Sequence, residues 1–149
     1  MRTDSRLSRV LHVLLHMADA PGPLTSEQIA RMLDTHAVVV RRTLGGLRDA
    51  GYVRSDKGHG GGWTLACDLD AVTLLDVHRA LGGPRIHAIG NERDNPQCAV
   101  ERVVNAAIDD ALRDAEALLA ARFAEVSLGD LARAFAVVCK SHADLQTHE

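Results

Sequence analysis

Aromatic residues are scarce in this sequence: two Phe, one Trp and one Tyr among 149 residues. A core must then be built from Leu, Val, Ile and Ala, which suits closely packed helices. Cysteine is scarce too. Cys67, Cys98 and Cys139 stand far apart with no CxxC pair; their odd number argues against a disulfide framework, and the lack of paired Cys/His spacing against a structural zinc site. No apolar run reaches the ~20 residues that span a bilayer. The first ten residues carry charges throughout and lack the apolar stretch of a secretory signal. A cytoplasmic protein without membrane contact is expected. There is no P-loop, no nucleotide-binding glycine pattern opening a helix and no nucleophile motif, so an enzyme is not expected.

What is present is an uneven distribution of charge. The net charge of −3 seems wrong for a partner of nucleic acid. Residues 1–60, however, carry nine Lys/Arg against six Asp/Glu, a net of +3. Residues 61–149 carry eight against fourteen, a net of −6. The basic half can meet phosphates, and the acidic half is better suited to facing away from them.

Local patterns predict a mainly α chain with one small β-hairpin. Residues 5–20 place Leu7, Val10, Leu11, Leu14, Leu15 and Ala18 on one helical face, and Pro21-Gly22-Pro23 stops that helix. Thr25-Ser26-Glu27-Gln28 is a capping-box pattern opening a short helix that should bury Ile29, Met32 and Leu33. After a turn at Asp34-Thr35-His36, a third helix is expected over 37–50. Its apolar face is Val40, Leu44 and Leu47, and Gly51 is its stop signal. Strands are expected at 52–55 and 63–66, joined by the Gly-rich segment 56–62. Thr73 caps a further short helix to Leu81. Asn95-Pro96 reads as the cap and first residue of a long helix over 98–124, and Ser127 caps a last helix ending near Ser141. The expected division is a winged helix-turn-helix domain (1–82), a loop (83–97) and dimerisation helices (98–149).

Helix, capped short helix, tight turn, basic-faced helix and glycine-rich hairpin form the order of a winged helix-turn-helix, whose third helix enters the DNA major groove. Arg41 and Arg42, early on the polar face of that helix, are the main candidates for reading bases, since Arg can bond bidentately to guanine. Thr43 and His36 are weaker candidates. Lys57 and His59, at the hairpin tip, are placed to meet phosphates or the minor groove. The N–H groups of Thr25 and Ser26 are candidates for holding a phosphate at a helix N-terminus. Basic residues on an amphipathic helix are often only a solvated face, so the alternative is a winged-helix protein-interaction module without DNA affinity.

The segment from Leu24 to Ala66 resembles the Rrf2-type (IscR/NsrR-like) transcriptional regulators. The hallmarks are Ala50-Gly51-Tyr52-Val53 at the exit of the third helix and the wing from Lys57 to Trp63; Asn95-Pro96-Gln97-Cys98-Ala99-Val100 before the long helix also fits. The resemblance spans roughly residues 5–140. It implies a homodimer on a partly palindromic operator in double-stranded DNA, with repression as the expected sign. Independently of it, the long helix carries more apolar positions than one chain can cover, and Ala107, Ala111 and Ala115 permit close helix–helix approach.

Iron–sulfur members of this family use three closely spaced cysteines, whereas only Cys98 lies in that region here. No iron–sulfur cluster or other cofactor is therefore expected. A mixed-ligand cluster using His87 has no support in the pattern. With Asn95 as cap, Cys98 would fall near the third helical position, where helix N–H groups favour a thiolate. It is the candidate redox sensor, against the plainer role of a small buried hydrophobe. Cys67 and Cys139 read as structural. The controlling signal is expected to be an oxidant or a small molecule. His12 and His16 share a helical face, but no third ligand is evident, so no metal site is expected.

Overall fold

The computed structural model describes residues 4–83 and 97–146, with side chains to residue 140. The helices are α1 (Arg6–Asp19), α2 (Ser26–Met32), α3 (Ala37–Asp49), α4 (Leu74–Ala80), α5 (Ala99–Ala124) and α6 (Leu128–Gln146). Between α3 and α4 lie β1 (Val53–Asp56) and β2 (Gly62–Leu65), paired antiparallel with Val53 opposite Leu65 and Asp56 opposite Gly62. The expected Asn95-Pro96 cap, nearly all of the 83–97 loop and His87 lie outside the described residues.

Hydrogen bonds between near neighbours set the helix starts. Thr25 Oγ1 accepts from the Gln28 N–H at 3.1 Å while Gln28 Oε1 accepts from the Thr25 N–H at 2.8 Å. Thr73 with Asp76, and Ser127 with Asp130, repeat this reciprocal cap for α4 and α6. Each such cap stabilises its helix by ~1 kcal/mol. Gly51 follows α3 with φ of +84°, a conformation that costs glycine little.

One apolar core joins all the elements except α5. Val10, Val13, Leu14 and Met17 of α1 meet Ile29 and Ala30 of α2, Val40, Leu44 and Leu47 of α3, Val53 and Trp63 of the hairpin, Val77 of α4 and Leu128 of α6. Two expected faces are corrected. On α1 the buried stripe runs through Val13 and Met17, because α1 packs against α3, α4, β2 and α6; Leu11 and Leu15 are only half-buried and Ala18 is exposed. On α2, Met32 is exposed: Ser26, Ile29 and Ala30 set the buried side, and Met32 lies about 110° around the helix from the midline of Ile29 and Ala30, at the edge of that side. Another correction concerns α6, which continues five residues past the expected end at Ser141.

The hairpin is fastened to the chain before α2. Leu24 and Trp63 exchange backbone hydrogen bonds of 3.1 and 2.8 Å. A side chain at Gly62 would put its Cβ 2.7 Å from the Leu24 carbonyl oxygen, so this approach requires glycine. The indole N–H of Trp63 donates to Ser26 Oγ at 3.0 Å inside the core.

The turn between α5 and α6 is likewise bound to the winged-helix unit. Leu74 N–H donates to the Val126 carbonyl, Leu128 N–H to that of Val72, and Gly129 N–H to that of Leu69. Arg133 on α6 adds 2.8 Å ion pairs to Asp70 and Asp130. Beyond this anchored end, no residue of α5 is buried, and Val100, Val103, Val104 and Leu118 are exposed. Among the described residues, no helix is long and apolar enough to cross a membrane.

Candidate nucleic-acid interface

Burial of Val40, Leu44 and Leu47 fixes how α3 is turned, and Arg41, Arg42 and Arg48 are consequently exposed. Arg41, Arg48 and Lys57 line an open cleft of about 450 Å³ between α3, the N-terminus of α2 and the hairpin. A cleft with cations on both walls suits a polyanionic backbone, which approaches with counterion release. Glu27 and Asp56 line the same cleft. Glu27 Oε1 lies 3.5 Å from Arg41 Nη1, a weak exposed pair that the stronger field of a phosphate can replace.

The remaining candidates divide. Lys57 and His59 are both exposed in the β1–β2 connection, as expected of a wing tip. Arg42 is exposed, one residue beyond Arg41 on α3. His36 is the exposed N-cap residue of α3, and its side chain makes no cap hydrogen bond. Thr43 is half-buried and lines a small apolar pocket between α1, α2 and α3, away from the cleft. At the start of α2, the Thr25 N–H is not free for a phosphate, because Gln28 occupies it. Thr25 and Ser26 both line the cleft; Ser26 is buried, and Trp63 engages its hydroxyl rather than the N–H expected to hold a phosphate. The sequence pattern did not single out Arg48 or the two acids; their place in the cleft depends on packing between elements.

Cys98 is not at a third helical position. It is the N-cap residue of α5, half-buried, with no side-chain cap hydrogen bond. Cys67 is half-buried against the core, and burial, aided by the nearby Asp68 carboxylate, pushes its thiol pKa up. Such a thiol is a poor nucleophile near neutrality. Cys139 is exposed on α6. His12 and His16 bring their Nε2 atoms within 2.9 Å of each other. Among the described residues, no group of three His, Cys, Asp or Glu side chains could hold a metal ion.

The family described as "Rrf2: Iron-dependent Transcriptional regulator" matches residues 3–134 of this chain. The iron in that description finds no three-donor set among the described residues, where the thiols lie in the winged-helix core, at the head of α5 and on the surface of α6. The chain is 30% identical over 128 residues to YwnA of Bacillus subtilis, covering 86% of this chain and 95% of YwnA. CymR (YrzC), the global cysteine regulator of B. subtilis, has a solved structure with a TM-score of 0.57 and 25% identity, covering 89% of this chain and 97% of that one. A crystal structure from Lactobacillus plantarum shares the fold with a TM-score of 0.75 at 21% identity, covering 97% of this chain and 99% of that one. The match along nearly the whole chain decides between a regulator and a protein-interaction module: this protein belongs to the Rrf2 family and is a DNA-binding transcriptional regulator, not an enzyme.

Proposed function

We propose that this regulator is a homodimeric repressor that binds a partly palindromic operator and releases it in response to an oxidant or a small ligand. The observation that carries the DNA contact is the cleft in which Arg41 and Arg48 of α3 face Lys57 of the wing. Arg41 and Arg42 read bases, and Lys57 and His59 hold the flanking backbone. The dimer rests on α5. Val100 and Val103 are each 71% exposed and Leu118 is 67% exposed, a run of apolar side chains that a single chain leaves in water. A second copy laid along α5 would cover it and present two recognition helices about one DNA turn, ~34 Å, apart.

Control is proposed to act without an iron–sulfur cluster, through Cys98 at the head of that same helix. Attack of its thiolate on hydrogen peroxide would form the S–O bond and break the O–O bond, giving a sulfenic acid and hydroxide, which takes a proton from solvent to become water. Oxidation there would alter the end of α5 farther from its anchor on the winged-helix unit. Cytoplasmic residence accompanies this proposal.

Retardation of genomic promoter fragments, with molar mass measured by light scattering, tests it. Wild type should retard specific fragments as a dimer. Arg41→Ala/Arg42→Ala should lose about 1–3 kcal/mol for each bidentate base contact removed, tenfold or more in affinity. Unchanged retardation by the double variant would remove α3 from the mechanism, and a monomer bound to DNA would remove α5 from the interface.

A further inference from the structure

We propose that Val38 is a specificity-determining residue that recognises the 5-methyl group of an operator thymine, beside the bases read by Arg41 and Arg42. This rests on α3 entering the major groove. Val38 is the second residue of α3 and is 59% exposed. At 100° per residue it lies about 180° around the helix from Leu47 and about 200° from Val40, so the core-facing side of α3 cannot cover it. It shares one face with Arg41, Arg42 and Gly45, spaced i, i+3, i+4 and i+7. Gly45 carries no side chain, and a Cβ there would meet nothing within 4 Å, so this strip can approach a surface closely.

An exposed β-branched residue in a first helical turn gains nothing from packing and has lower helix propensity than Ala. Its two methyl groups form no hydrogen bond to a phosphate or a base edge. In the major groove the distinctive apolar feature is the thymine C5-methyl. The surroundings select DNA over a second copy of the chain as the occupant: Arg41 and Arg42 flank Val38, whereas the exposed apolar residues of α5 are interspersed with Glu101, Asp109, Asp110, Asp114 and Glu116.

The full-length protein is used to select its site from a random duplex pool, and each thymine of that site is then replaced singly by deoxyuridine, which removes only the methyl group. At one thymine per half-site, wild type should bind the uracil duplex about fourfold more weakly, the worth of one buried methyl-sized group. Val38→Ser should bring this thymine-to-uracil ratio close to one at that position, and leave ratios elsewhere and the thermal midpoint unchanged. Val38→Ala, which keeps one methyl group, should give an intermediate ratio and provides a second reading if the serine variant folds poorly. The proposal is overturned if both variants keep the wild-type ratio, or if wild type distinguishes thymine from uracil at no position. Failure of wild type to select any sequence would overturn it together with the DNA contact on which it rests, and is recognisable as that separate result.

Discussion

Replacing Gly45 and Gly46 separately by Ala tests how the recognition helix is seated. Both glycines lie within α3, where glycine is ~1 kcal/mol less favourable than Ala. Their surroundings differ sharply. A Cβ on Gly45 meets nothing within 4 Å, whereas one on Gly46 falls 2.6 Å from the Ala80 carbonyl oxygen at the end of α4. Carbon–oxygen contacts settle at ~3.3–3.6 Å, so α4 must retreat by roughly 0.7–1 Å, and no rotamer change can relieve a backbone obstacle. Overpacking of this kind costs about 1–3 kcal/mol. Gly45→Ala should therefore stabilise the fold by ~1 kcal/mol, and Gly46→Ala should range from neutral to ~2 kcal/mol destabilising. The gain in helix propensity is common to both, so the gap between the two variants isolates the contact with α4 at about 1–3 kcal/mol. For a chain of this size each kcal/mol moves the thermal midpoint by about 2–4 °C. Urea unfolding at one fixed protein concentration is the appropriate assay, because self-association changes apparent stability. Equal midpoints for the two variants would refute the close approach of α3 and α4.

Two further predictions concern the acid limb of stability and the response to oxidant. The Asp130 carboxyl is held at about 2, below its ordinary 3.8, by the Ser127 backbone N–H first, and then by Arg133 and the Ser127 hydroxyl. A carboxyl depressed in the folded state contributes stability above its unfolded pKa and loses it as pH falls through the folded one. Asp130→Asn should therefore flatten the pH dependence of unfolding between 3.8 and about 2 and leave the slope near neutrality unchanged; an identical acid limb in both proteins would remove the Ser127 cap from the explanation. Cys98→Ser should retain DNA binding and lose its response to peroxide, and anaerobically purified wild type should be colourless and iron-free. A peroxide response that survives the substitution would exclude Cys98, and a visible chromophore with bound iron would overturn the cluster-free proposal.

Much of the fold was determined by residues within four positions of one another. The caps at Thr25, Thr73 and Ser127 each join a side chain to a backbone group three residues away, and they form as the sequence predicts. The spacing of Val40, Leu44 and Leu47 likewise fixes the outward turn of Arg41 and Arg42 whatever covers the inner face. Pairings over long stretches of chain could not be read this way. Ser26 and Trp63 are 37 residues apart, and Asp70 and Arg133 are 63 apart. Their contacts exist only because the hairpin pairs with Leu24 ahead of α2, and because α6 packs on α1 with its head bonded to the segment before α4. Tertiary structure alone turned Met32 outward, set the Thr25 cap in a cleft shared with Glu27 and Asp56, and put Gly46 against Ala80. The scarcity of aromatic residues ends in the same contrast. Composition required a core of small aliphatic side chains, but only packing decided that the lone Trp would tie the wing to the helix beside it, since one indole can serve any element that brings an acceptor within reach.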